Sequence, residues 1–232
     1  TRIFQRVTGL TPGRFLSAVR LQKAKQLLTS TSLTVTDISH MVGYTSVGTF
    51  SSRFAFSVGV PPRTYRRMGG LRPWRSFANR RSNSGLRVAS HTRSTVRGHI
   101  TFTDAVCSGP LFLGLFPGRI PQGEPVRCTV LERSGSYVLD DVPPGTYYAM
   151  ACCPQSQTRR HPSGLQSIGR IVKDDDAEPM AVGYHGPITV HAGVTRIADL
   201  ELRPMSPIDP PVLLALPDLR PDEIVAPMAA AA

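Results

Sequence analysis

Between Thr34 and Val58 the chain reads TVTDISHMVGYTSVGTFSSRFAFSV, two short amphipathic helical patterns joined by Gly-Tyr-Thr-Ser. Few arrangements accommodate such a stretch. Thr34 begins the first pattern as an N-cap, and Asp37 three residues on is the acidic partner of a capping box. Val35, Ile38, Met41 and Val42 are its expected buried face. Gly43 supplies the left-handed residue that stops it. Ser46 then caps a second helix, on which Val47, Phe50, Phe54 and Val58 repeat at i, i+3, i+7 and i+11. At 100° per residue, Gly48, Thr49, Ser52 and Arg53 fall on the opposite side.

One face of that second helix is therefore aromatic and the other almost bare. A helix, a glycine, a tight turn and another helix make a helix-turn-helix, whose second helix enters the DNA major groove. The groove admits an α-helix, but bulky outward side chains would hold it away from the base edges. Small residues on the exposed side suit that task. Upstream, residues 14–30 carry Phe15/Val19 and Leu21/Ala24/Leu28 on one stripe, with Arg14, Arg20, Lys23 and Lys25 mostly off it. This predicts an amphipathic helix with a basic outer surface, opened near Pro12 and stopped by the Thr/Ser run at 29–32.

Taken together, RLQKAKQLL (20–28), TVTDISHMVGYTS (34–46), Phe50, Phe54, Gly59, Pro62 and Tyr65-Arg66 resemble the carboxy-terminal part of the AraC/XylS-type DNA-binding domain. The resemblance implies two helix-turn-helix units joined by a long helix, here residues 14–29, with reading helices in successive major grooves. It also implies that residues 1–9 correspond to the end of the first reading helix, so that the domain is amino-terminally truncated in this sequence. Carried over position by position, Val47, Gly48, Thr49, Ser51 and Ser52 face bases. Thr45, Ser46, Arg53, Arg63, Arg66 and Arg67 meet the phosphate backbone. Thr49 and Ser52 can donate or accept, and Val47 can touch a thymine methyl, but Ser/Thr pairings specify no particular base. For a lone helix the competing reading is that Val47 is core and Thr49 and Ser52 an ordinary solvated face. Two departures reduce the expected backbone contacts and capping. Ala55, Phe56 and Ser57 stand where the family often carries basic residues, and Pro61 stands where a Ser cap is common.

Charge divides the chain in the same place. Residues 1–98 hold 17 Lys/Arg against the single acid Asp37, a net +16; residues 99–232 hold 10 Lys/Arg against 15 acids, a net −5. A strongly basic first module points to a polyanion, and nucleic acid is favoured over a membrane surface because no basic helix carries a broad Trp/Phe/Leu stripe. Residues 68–97 contain seven arginines and no acid. Their broken periodicity predicts a flexible basic linker, either an arm along DNA or a solvated tether. No opening segment reads as a signal peptide and no apolar run is long enough to span a bilayer, so the expectation is a cytoplasmic protein. In that compartment Cys107, Cys128, Cys152 and Cys153 are expected to be thiols, and without a CxxC pair they imply no zinc site.

From Val96 the period becomes that of strands. Runs at 97–103, 111–116, 126–131, 136–139, 146–152, 187–192 and 196–202 are separated mostly by Pro/Gly turns, which predicts a β-sandwich. GSYVLDDVPPGTYYAMA (135–151) and GYHGPITVHAGVTRIADLEL (183–202) resemble the transthyretin-like or carboxypeptidase-regulatory-like sandwiches, which implies a binding or spacer module. Asp174, Asp176 and Glu178 alternate as in a calcium loop, but the run lacks the glycine and length of an EF-hand, and an acidic surface loop is the preferred reading. His161, His185 and His191 have no ligand spacing. No P-loop, GxGxxG or local catalytic motif is present, so no catalysis, cofactor or metal is expected.

The expected organisation is an all-α helix-turn-helix domain at 1–67, a basic linker at 68–95, an all-β sandwich at 96–203 and a Pro/Ala-rich disordered tail at 204–232, in which VLLALPDL (212–219) is the one stretch suited to docking. The expected function is that of a DNA-binding transcriptional regulator, non-enzymatic, with double-stranded DNA as partner and RNA polymerase or a small-molecule effector as further candidates. The alternative is a β-sandwich interaction or ligand-binding protein carrying a degenerate, non-specific DNA-binding remnant.

Overall fold

The computed structural model describes residues 1–70, 72–73, 94–103, 110–154, 180–215 and 217–218. Helices fill the first part: α1 (Arg2–Thr8), α2 (Pro12–Ser30), α3 (Val35–Met41), α4 (Val47–Val58) and α5 (Pro62–Arg67). Strands fill the second: β1 (Arg72–Pro73), β2 (Thr95–Phe102), β3 (Leu111–Phe116), β4 (Arg127–Leu131), β5 (Gly135–Leu139), β6 (Gly145–Pro154), β7 (Met180–Val190), β8 (Thr195–Ile197), β9 (Leu200–Pro204) and β10 (Pro217–Asp218). The chain is thus α then β, as its periodicities predict. It divides into two compact units, residues 1–18 with 91–212 and residues 19–90 with 213–232.

In the helical unit, Leu21, Ala24 and Leu28 of α2 are buried with Ile38, Val42, Phe50, Phe54, Val58 and Tyr65. Their aromatic rings form a continuous series of edge and tilted contacts, Tyr44 to Phe50 at 5.4 Å, Phe50 to Phe54 at 5.7 Å and Phe54 to Tyr65 at 5.5 Å. Such contacts add to the area each ring removes from water. Burial pushes the Tyr65 hydroxyl up to about 12. Two stripe assignments need correction. Val19 and Met41 are exposed, and the buried positions are Ala18 and Ser39. On α3 the small Ser39, whose hydroxyl donates to the Thr36 carbonyl, occupies the inward position that the longer Met41 was expected to share. The helix α5 has no counterpart in the sequence reading, although Pro62 in its first turn is a recognised start signal.

The β unit is built on one eight-stranded sheet in the order β4-β3-β6-β7-β9-β2-β5, with β8 beside β2. Its halves are joined by only two residue pairs between β7 and β9, Ala181 with Pro204 and Val182 with Arg203. Leu111, Leu113, Leu115, Ala149 and Val190 from one half share a core with Val96, Ile100, Leu139, Leu200 and Leu202 from the other. The two halves thus enclose one shared core within a single, nearly closed sheet. Tyr137 of β5 reaches past Gly98 of β2 to donate its hydroxyl to the Ala198 carbonyl. Strand β7 is longer than the run at 187–192 because it continues back through Gly183 and Gly186. Pro187, which has no N–H to give, sits where the register with β6 shifts between Tyr147 and Ala149. The run at 196–202 is two strands, broken at Ala198-Asp199, where the Asp199 carboxylate accepts the His99 N–H instead.

Two further expectations change. Cys153 is disulfide-bonded, whereas Cys128 and Cys152 are thiols; Cys107 lies outside the described residues. Spacing could not show this, because pairing depends on which strands the fold brings together. Residues 205–215 of the expected tail are ordered. The Asp209 carboxylate receives both guanidinium arms of Arg203 at 2.7 Å and the Ser206 N–H at 2.7 Å, and Val212 to Ala215 are buried. Burial would raise the Asp209 pKa, but the Arg203 and Ser206 hydrogen bonds outweigh it and hold it below its usual value. Apart from residues 217–218, the remainder of the tail lies outside the described residues, as do most of the linker, His161 and the Asp174–Glu178 loop. Among the described residues no group of three or more His, Cys, Asp or Glu side chains could hold a metal, and no helix is long and apolar enough to cross a membrane.

Candidate nucleic-acid interface

The interface starts from how α4 is held. Thr34 and Asp37 form the complete capping box that opens α3: the Thr34 hydroxyl oxygen accepts the Asp37 N–H at 3.1 Å, and the Asp37 carboxylate accepts the Thr34 N–H at 3.2 Å and its hydroxyl at 2.6 Å. Those Thr34 hydrogen bonds, side chain first and backbone second, lower the Asp37 pKa. Gly43 leaves α3 with φ at +83°, in the left-handed region. Three residues later the Ser46 hydroxyl oxygen accepts the Thr49 N–H at 3.3 Å and opens α4. Turn length and both caps thus fix the direction in which α4 leaves α3.

The two sides of α4 then separate sharply. Phe50, Phe54 and Val58 are fully buried, while Gly48, Thr49, Ser52 and Arg53 are exposed. Val47 and Ser51, at the edges of the outer face, are half-buried. Gly48 has open space beside it: an added Cβ would meet only the Ser46 hydroxyl, at 3.7 Å. Nothing inside the fold requires glycine there on steric grounds. The five residues assigned to bases therefore lie together on and around the first turn and a half of α4, its amino-terminal end, where backbone N–H groups also point outward.

Of the six residues assigned to phosphates, Thr45, Ser46, Arg53, Arg63 and Arg67 are exposed. Arg66 is the exception. Its guanidinium is half-buried and donates to two backbone carbonyls, Leu28 at 3.0 Å through Nε and Leu33 at 2.6 Å through one terminal nitrogen. Leu28 lies in the last turn of α2, where carbonyls lack intrahelical partners. Arg66 is thus a brace between α5, the end of α2 and the following loop. The sequence offered no way to separate it from Arg63 and Arg67, since the partners are main-chain atoms over thirty residues away. At the departures noted above, Ser57 is buried, Ala55 half-buried and Phe56 71% exposed; Pro61 caps α5 without a side-chain hydrogen bond.

The family model describing a helix-turn-helix domain matches residues 1–68. Residues 1–68 therefore resemble a helix-turn-helix domain. This domain is 35% identical over 63 residues to the uncharacterised HTH-type transcriptional regulator YobQ of Bacillus subtilis, covering 27% of this chain and 26% of that protein. It is 36% identical over 70 residues to the melibiose operon regulatory protein of Escherichia coli, covering 30% and 23% of the two chains. With the HTH-type transcriptional activator RhaS of Escherichia coli it shares 38% over 65 residues, 28% and 23% of each. The chain spans about a quarter of the length of these curated relatives. These relatives are named as transcriptional regulators. No solved structure matches the chain.

Proposed function

We propose that this chain is a DNA-binding transcriptional regulator that inserts the amino-terminal half of α4 into the major groove. The observation that carries the reading is the division of α4 itself: three fully buried apolar side chains on one side, and glycine, threonine and serine on the other, behind a capped turn. Val47, Gly48, Thr49, Ser51 and Ser52 face the bases. Thr45, Ser46, Arg53, Arg63 and Arg67 set position on the phosphates, which contributes affinity without sequence information. The partner is double-stranded DNA, and the working compartment is the cytoplasm. The β unit acts as a binding or spacer module of the transthyretin-like or carboxypeptidase-regulatory-like kind, a reading supported by the single core its strands enclose, with an effector or RNA polymerase as its candidate contact.

The alternative, a non-specific DNA-binding remnant beside an interaction module, draws support from Phe56, exposed where related domains often place a basic residue. Binding to duplex DNA across a series of salt concentrations tests the proposal. The expected result is a log K that falls linearly with log salt, by about 0.9 per phosphate neutralised, together with a measurable preference for selected sequences over competitor DNA. The same slope without any preference supports the remnant, and absence of binding at low salt contradicts both.

A further inference from the structure

The helical unit contains residues that no helix-turn-helix pattern includes. Residues 213–232 group with residues 19–90, and within that span Leu213, Leu214 and Ala215 are buried at 0%, 7% and 1% exposure. The Ala215 N–H donates to the Val58 carbonyl at 3.0 Å. Val58 is the last residue of α4, and its carbonyl is one of the four that an α-helix leaves without an internal partner. The Gly59 N–H, the helix's own cap, goes to Ala55 and not to Val58. Two residues beyond Ala215, β10 pairs in parallel with β1, directly after the helical domain, Arg72 with Pro217 and Pro73 with Asp218.

From these contacts we infer that the carboxy-terminal segment is an intramolecular strap that completes the helix-turn-helix unit and fixes the far end of α4. Its occupant and its slot belong to the same chain. Leu213 and Ala215 remove apolar surface from water, and Ala215 satisfies a helix-end carbonyl that no turn residue reaches. The strap engages α4 at its carboxy-terminal end, whereas the exposed face begins at its amino-terminal end. It therefore holds the helix in place without covering Gly48, Thr49 or Ser52. Because α4 is the helix proposed above to read DNA, and the consequence for binding rests on that reading, loosening the strap lowers DNA affinity.

Two variants of the full chain test this. Ala215→Pro removes the donated N–H, and Leu213→Asp places a carboxylate in the slot. Hydrogen exchange is measured at the amides of residues 54–59, with those of β3 and β6 as the internal control for intact folding. Affinity is measured on a mixed-sequence duplex oligonucleotide at fixed low salt. Both variants are expected to exchange about fivefold or more faster at 54–59, with β3 and β6 unchanged, and to bind the duplex about fivefold more weakly. Unchanged protection at 54–59 in both variants overturns the strap, whatever the duplex does. Lost protection with unchanged affinity upholds the strap and counts against α4 as the reading helix.

Discussion

Gly48 carries a specific expectation at the scale of single residues. A methyl group there meets nothing but the Ser46 hydroxyl at ordinary contact distance, and alanine is the better helix former by up to about 1 kcal/mol. Gly48→Ala is therefore expected to leave the domain as stable or slightly more so. If glycine is there to let the backbone approach base edges, the same change weakens duplex binding. Thermal unfolding and a duplex titration on one preparation check both halves; a loss of stability or a gain of affinity would refute the assignment. Which residues face outward on α4 was legible from its spacing, because three aromatic or branched side chains at helical intervals admit only one inward direction. Arg66 was not legible, because its role is decided by the Leu28 and Leu33 carbonyls, which no pattern of side chains announces.

Among the elements, α3 depends on its cap and α4 on its core contacts. The lowered pKa of Asp37 gives α3 a pH dependence whose sign is fixed. A carboxylate with a depressed folded-state pKa contributes stability that is fully present above its ordinary value of 3.8 and is lost as pH falls through the folded-state value. The amides at the start of α3 are expected to lose protection as pH is lowered below that value, while Asp37→Asn shows a much flatter response over the same range. Equal responses from both proteins would remove the capping box as the cause. Helix limits followed from caps and glycines, so α3 and α4 fell close to where Thr34, Gly43, Ser46 and Gly59 place them. The buried stripes were less secure. On a seven-residue helix such as α3 a modest rotation about its axis exchanges Met41 for Ser39 on the inner face, and neighbouring helices decide which is inside.

For the whole molecule, the α-then-β order and the strand runs came through in the periodicity, but the assembly did not. The seam that pairs Ala181 and Val182 with Pro204 and Arg203, and the Ala215 hydrogen bond to the Val58 carbonyl, both join residues far apart in the chain. Local patterns record which side of an element is apolar, not which distant segment covers it. The central claim is that the chain binds DNA through the exposed face of α4, and it is tested most directly by titrating duplex DNA with Thr49→Glu. Glutamate at this position, three after the Ser46 cap, suits a capping box and the positive end of the helix, so the fold is retained. Phe50→Ala serves as the opposite control, expected to lose about 3–5 kcal/mol of packing and with it the helical fold. The prediction is that Thr49→Glu keeps the helical circular dichroism and melting temperature of the parent but loses duplex binding by about tenfold or more, as a carboxylate meets the phosphates. Parent-like affinity in a folded Thr49→Glu chain would contradict it.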